Sequence, residues 1–325
     1  MNTQARTLVV ALATVLAAAT ALPLVAAPGA SKPSPGDYFR TAPILAVPEK
    51  APIYAATVAD KRLVAVGDYG LIILSDDGKT FRQGKVPTRA PLTSVFFLDG
   101  KKGWAAGHDG TILASEDGGE TWQVQREMRG KDQVLMSIWF ENAEHGLAVG
   151  QFGLALETRD GGKSWQERKL AEGEAGEKHF MQLVPAGNGL VFAAAEAGTI
   201  LRSEDGGSHW QAIQTDNKGS FWTGAALADG SLLMVGMRGH VYRSEDRGLT
   251  WKEVPSGTQQ SLTGIVQRAD GSVRIVGLAG ASLLSKDGGK SFQASMRPDR
   301  VAMTAITTGV GGELGFTALG MVIRE

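Results

Sequence analysis

From about residue 50 to the end of the chain, short runs of apolar and β-branched residues recur, each bounded by Gly or Asp-Gly. Runs of this length with such punctuation predict β-strands joined by tight turns. Over residues 92–125 the runs are Leu92–Leu98, Gly103–Gly107, Thr111–Ser115 and Thr121–Gln125, which makes four strands in one unit.

That unit repeats. "GDYGLIILSDDGKTFRQ" from Gly67 aligns with "GHDGTILASEDGGETWQ" from Gly107, "GQFGLALETRDGGKSWQ" from Gly150 and "AEAGTILRSEDGGSHWQ" from Ala195. It aligns equally with "GMRGHVYRSEDRGLTWK" from Gly236 and "GLAGASLLSKDGGKSFQ" from Gly277. The late aromatic falls at Phe81, Trp122, Trp165, Trp210, Trp251 and Phe292, in steps of 41, 43, 45, 41 and 41 residues. Four strands in a repeat of this length are the pattern of a β-propeller blade. Phe39-Arg40 lie 42 residues before Phe81-Arg82, and Ala318–Glu325 matches the start of a repeat and stops before its Asp and aromatic. The expected fold is therefore all-β: a seven-bladed propeller of six complete units and one split unit. The split blade would be closed by an N-terminal outer strand, Phe39–Val47, added to three inner strands from Val301–Glu325. Closure leaves no long free sheet edge, so a monomer is expected.

The repeated string Ser/Thr-x-Asp-x-Gly-x-x-Trp/Phe resembles the Asp-box, or bacterial neuraminidase repeat. It lies between the third and fourth strands of each unit, where a short carboxylate can accept backbone N–H groups and Gly can take positive φ. Asp77, Asp117, Asp160, Asp205, Asp246 and Asp287 are accordingly assigned a structural role in hairpins. A calcium loop needs several oxygen ligands together with a further acidic residue. Here one Asp recurs with an apolar anchor, and no metal or cofactor site is expected.

Composition narrows the picture. The chain has 325 residues, 43 Gly, no Cys and a formal net charge of −1. No cysteine means no disulfide or thiolate chemistry, and the near-zero charge gives no general attraction to nucleic acid. Arg6 precedes a long apolar run, Thr7–Ala26, which ends in small residues. This reads as a signal peptide over residues 1–27, with an uncleaved anchor as the alternative. Residues 28–37 read as a linker, and 38–325 as the propeller. The chain is expected to be exported, to the periplasm or to a thylakoid lumen in a phototroph.

Function is expected on the face opposite the Asp hairpins, where the loops between strands two and three and the connectors between blades emerge. The Gly-x-x-Gly loops vary strongly and contribute Tyr69, His108, Phe152 and Arg238. The connectors contribute Arg89, Arg126, Arg129, Lys131, Arg297 and Arg300. Tyr54, Phe180 and Trp222, near the starts of inner strands, are placed at the channel mouth. These are candidate partner-binding residues on a protein-binding surface. Arg202, Arg243 and Arg324 share one position on strand three and are expected to point outward into solvent, with an anion-binding stripe as the alternative.

Asp hairpins also occur in sialidases, so a glycan-binding or glycan-hydrolysing propeller is the alternative. That chemistry needs an Arg triad, a Tyr nucleophile with its Glu partner, and an Asp acid/base. With Tyr only at positions 38, 54, 69 and 242, no such set can be assembled from spacing, and no enzyme activity is expected. The "GxxGxIxRSxDGGxxW" form of the repeat, nearest in Ala195–Trp210, is similar to that of the photosystem II stability/assembly factor family, and the likeness covers nearly the whole chain after the linker. The resemblance implies a non-enzymatic scaffold that holds a membrane-protein complex or its assembly intermediate against an Arg-rich face. The partner would be a photosystem II subunit in a phototroph, or an envelope transporter elsewhere.

Overall fold

In the computed structural model the described residues are 41–309, 311–320 and 322–324, within the unit Arg40–Glu325. The expected signal peptide, the linker and Tyr38-Phe39-Arg40 lie outside the described residues. Among those described, no helix is long and apolar enough to cross a membrane.

The chain forms an all-β propeller. Among the described residues six sheets have four strands and one has three, and within each sheet consecutive strands pair in sequence order. The first blade contains Ile53–Ala59, Arg62–Gly67, Ile72–Ser75 and Arg82–Gln83. The innermost strands of the successive sheets are Ile53–Ala59, Leu92–Phe97, Leu135–Phe140, Phe180–Gly187, Phe221–Ala226, Leu262–Gln267 and Met303–Gly309. Each lies beside the next, and Met303–Gly309 lies beside Ile53–Ala59, so the sheets close a ring. The Thr304 hydroxyl donates to the Ile53 carbonyl at 2.5 Å across that junction.

Second strands such as Gly103–Gly107, Gly146–Gly150 and Leu232–Gly236 are buried along their whole length. Neighbouring blades cover both their faces, which is why they read as unbroken runs of small and apolar residues. Large rings fill the gaps between blades. Trp104 stacks on Phe140 of the next blade with centroids 3.4 Å apart and an interplanar angle of 8°. Fourth strands such as Gln293–Met296 are short and exposed.

Two expectations change here. The seventh sheet has three described strands, Met303–Gly309, Gly312–Thr317 and Val322–Arg324, so six blades are complete rather than seven. The described part of the expected closing strand, residues 41–47, contains no strand. It is tied to the first blade instead: Ala42 N–H donates to Val86 O at 2.9 Å, Leu45 N–H donates to Gln83 Oε1 at 3.2 Å and Gln83 Nε2 donates to Pro43 O at 2.7 Å. Pro43 and Pro48 have no N–H for a ladder, which explains why side-chain bonds replace sheet pairing there.

Arg202 and Arg243 are buried rather than solvated. Their Nε atoms donate across blade boundaries to Arg247 O at 2.8 Å and Gly288 O at 3.0 Å, and each guanidinium pairs with a nearby carboxylate, Glu204 and Glu245 respectively. Burial is tolerated because both charge and N–H groups are satisfied. The side chain of Arg324 lies outside the described residues.

Candidate functional site

The aspartate hairpins occupy one end of the blades. In the second blade Ser115 Oγ donates to Asp117 Oδ1 at 2.8 Å and accepts from Gly119 N–H at 2.9 Å. Asp117 also accepts from Thr121 N–H at 2.9 Å and from Thr121 Oγ1 at 2.6 Å. Trp122 is buried edge-on against Phe97, and its Nε1 donates to Gly119 O at 2.9 Å. Asp160, Asp205, Asp246 and Asp287 repeat the carboxylate bonds. Asp77 does so one residue closer, to Lys79 and Thr80. Every carboxylate is committed to its own loop, so these residues hold shape.

The opposite end is built from two-residue turns between the second and third strands. In the first blade Leu71 N–H donates to Asp68 O at 2.9 Å, with Tyr69 (φ 53°) and Gly70 (φ 71°) both left-handed. Such turns match the twist of a hairpin but favour Asn or Gly first. Five further blades repeat the geometry with Asp109, Phe152, Ala197, Arg238 and Ala279 at φ between 51° and 56°. The following Gly is compulsory: a Cβ on Gly70 would lie 2.2 Å from Thr88 O. That close approach ties turn and blade connector together, as do Met128 N–H to Asp109 O at 2.7 Å, Gly153 N–H to Lys178 O at 2.9 Å and Arg297 N–H to Gly280 O at 2.8 Å.

The turn tips display what this backbone strain carries. Phe152 is 72% exposed, Tyr69 59%, and Leu319, at the same sequence position in the seventh sheet, 66%. Phe152 is held from below: its N–H donates to Nδ1 of the buried His179 at 2.7 Å, and the two rings meet edge-on at 4.4 Å. Between the Phe152 turn and residues 167–177 lies a cleft of about 620 Å³.

Inside the ring of turns lies a second ring that the sequence reading located only in part. Every innermost strand has a register shift that leaves its second residue unpaired: Tyr54, Thr93, Met136, Met181, Trp222, Thr263 and Thr304. Bulges of this kind re-aim side chains. Aligning the second residues of the inner strands would have revealed the set. Phe180, assigned to the mouth, is fully buried one residue earlier.

Arg238, Arg129, Lys131 and Arg300 are exposed, as expected of contact residues. Arg129 pairs with Glu127 at 2.7 Å, and Arg300 has a left-handed backbone. Arg126, by contrast, is packed, donating to Gly110 O at 2.8 Å and Gln133 Oε1 at 2.9 Å. Arg89 donates to Thr41 O at 2.8 Å, and Arg297 pairs with Asp299 at 2.8 Å. His108 and Trp222 are half-buried. Thus Tyr69, His108, Phe152 and Arg238 stand on the turns of four separate blades and Trp222 on an inner strand, while Arg126, Arg89 and Arg297 are tied down by bonds within the protein.

Electrostatics near the first two blades are set by burial. Desolvation raises the Asp68 carboxyl above its ordinary range and lowers His108. Burial, with help from Asp68, pushes Tyr54 up to about 12. Tyr242 is raised by burial and by donating to Asp216 at 2.8 Å. Both shifts run against the activated phenolate that a Tyr nucleophile requires. Among the described residues no group of three or more His, Asp or Glu is placed to hold a metal ion.

The architecture therefore defines a β-propeller with one uniform end and one variable end. Residues 128–273 match the family described as photosynthesis system II assembly factor YCF48. A curated relative, the photosystem II assembly protein Ycf48 of Synechococcus sp. (strain JA-3-3Ab), is 34% identical over 184 residues, 54% of each chain. The chain thus spans about half the length of that relative. Among solved structures, YCF48 bound to a D1 peptide aligns with TM-score 0.69 at 20% identity, covering 90% of this chain and 97% of that one. Virginiamycin B lyase from Staphylococcus aureus aligns with TM-score 0.72 at 12% identity, covering 84% and 94%, so the architecture also serves an enzyme. The likeness to the photosystem II assembly factor family is found in both sequence and fold.

Proposed function

We propose that this chain is an exported, non-enzymatic scaffold or assembly factor that holds a membrane-protein complex, or its assembly intermediate, on the turn face. The ring is read as a propeller with Asp-box hairpins, and it acts as a monomer. A signal peptide at 1–27 and a linker at 28–37 precede the propeller at 38–325. The partner is a photosystem II subunit in a phototroph and an envelope transporter elsewhere. The solved relative bound to a D1 peptide supports a polypeptide ligand.

The observation that carries this reading is the row of strained turns. Six blades hold a non-Gly residue at positive φ, a cost of roughly 1 kcal/mol or more each. Two of them use it to expose an aromatic ring. Stability alone would favour Asn or Gly at these positions.

The test is affinity capture from gently solubilised membranes with the tagged chain and a Tyr69→Ser/Phe152→Ser variant. The reading expects one membrane-protein complex with the parent and its loss with the variant. Identical recovery with both forms would refute the turn face as the contact surface. Glycan retention or hydrolysis in a parallel screen would move the assignment to a glycan-active propeller.

A further inference from the structure

The turn that exposes Phe152 differs from its counterparts in what holds it. The N–H of the left-handed residue donates to Asp68 Oδ1 at 2.9 Å in the Tyr69 turn and to Ser261 Oγ at 3.2 Å in the Arg238 turn. In the Phe152 turn the acceptor is a ring nitrogen, Nδ1 of His179, at 2.7 Å. The next N–H of that turn, on Gly153, donates to Lys178 O at 2.9 Å. Two consecutive N–H groups are thus gripped by two consecutive residues of the blade connector. The fit is close, since a Cβ on Gly153 would lie 1.9 Å from Gly176 O.

The acceptor role fixes where the His179 proton sits. Nδ1 offers its lone pair to Phe152, so the single proton of the neutral ring is on Nε2. Nε2 faces Glu196 Oε1 at 4.0 Å, and Glu196 Oε2 accepts the His179 backbone N–H at 2.9 Å. His179 is 6% exposed, so solvent offers little substitute for either partner. A second proton would set an N–H on Nδ1 against the Phe152 N–H, donor against donor, beside a backbone already strained at φ 54°. Glu196 would meanwhile attract the imidazolium. Lys178, the neighbour in the chain, is spent on Thr199 Oγ1 at 2.7 Å and Glu174 at 3.5 Å, and Arg168 donates to Gly207 O and Ser208 O. Asp132, Glu167, Lys169 and Glu177 line the cleft beside Phe152, and their balance is negative.

We propose that His179 is the positioning residue of the Phe152 tip: its neutral imidazole holds the exposed ring in place, and a proton on Nδ1 releases the turn. The Arg238 turn, whose N–H is accepted by a hydroxyl, has no such dependence. The inference rests on the partner-binding reading for its consequence, which is that capture weakens on acidification as the surface loses its most exposed aromatic ring.

Histidine is the side chain whose charge ordinarily changes between about pH 5 and pH 8, and that is the window to scan. The chain has 11 Phe, so 15N-Phe labelling of the full chain gives a simple amide spectrum in which Phe152 is identified by its loss in Phe152→Leu. Protection of that amide from solvent exchange, corrected for the intrinsic pH dependence of exchange, should fall about tenfold from the alkaline to the acid end in the parent. His179→Asn keeps an acceptor near Nδ1 and should retain protection throughout, whereas His179→Leu should lack it throughout. Glu196→Gln keeps the acceptor for the His179 N–H but removes the charge, and should move the fall to lower pH. Protection independent of pH in the parent, or a fall that persists in folded His179→Asn, would overturn the inference. If neither His179 variant folds, a fall that Glu196→Gln leaves at the same pH would overturn it instead. Membrane capture at the two ends of the window separates the two readings: it should drop with acid for the parent and stay level for His179→Asn. Capture lost in Tyr69→Ser/Phe152→Ser but insensitive to pH in the parent would sink this inference alone. A pH-dependent Phe152 amide with capture unchanged in Tyr69→Ser/Phe152→Ser would sink only the reading of the turn face as the contact surface.

Discussion

The two ends of the ring use the same kind of element, a hairpin turn, to opposite ends. At one end Asp117 and Asp160 spend their carboxylates on N–H and hydroxyl groups within four residues, and Trp122 goes into the core. At the other end the turn backbone is as constant, yet its tip carries Tyr, Asp, Phe, Ala, Arg or Ala. Where every polar group is satisfied internally, the side chain is fixed by the fold. Where a strained backbone presents a changing side chain outward, the fold fixes the backbone and leaves the side chain free to vary.

The largest effect that would sharpen this contrast is Trp122→Ala, which should cost about 3–5 kcal/mol. Urea or thermal unfolding would show it, and partner capture by the protein that remains folded should not change. Acid comes next. Side-chain bonds from Thr250 and Ser291, with their backbone N–H groups, hold Asp246 and Asp287 at about 2. A folded pKa below the ordinary 3.8 means stability that is full above about pH 4 and is lost as pH falls toward about 2. Melting temperatures across that window should drop for the parent and drop less for Asp246→Asn/Asp287→Asn. A variant as steep as the parent would contradict the assignment.

Phe152→Gly attacks the comparison from the other end. Removing an exposed ring from a left-handed position should leave stability unchanged or raise it by up to about 1 kcal/mol, while partner capture falls. A loss of stability comparable to that of Trp122→Ala would place Phe152 with the structural residues. The smallest effect belongs to Arg129→Ala, a half-exposed cation paired with Glu127. Its contribution to stability should be within about 0.5 kcal/mol, visible only as a modest change in the salt dependence of capture.

The period, the strands and the hairpins were legible because their bonds join residues close in sequence. Ser115, Asp117, Gly119 and Thr121 describe their own loop. The rest depends on registry between distant segments. Arg202 looked like a solvated strand residue because its acceptor, Arg247 O, lies 45 positions away. Arg126 looked like a contact residue but braces Gly110 and Gln133. Met136 and Met181 escaped because a bulge changes where a side chain points without changing the apolar pattern. The closing strand failed over 41–47 because Gln83 and Val86 capture that segment's polar groups.

The bond from Thr304 to Ile53 joins residues 251 positions apart, whereas the aspartate hairpins close over two to four. Local contacts form early and distant ones wait for the chain between them. The hairpins can therefore assemble as each repeat appears, while the first blade keeps an unsatisfied flank until the last sheet arrives. Circularity, on this account, is the final event of folding, and a chain cut short before residue 301 would hold well-made blades in an arc that cannot shut.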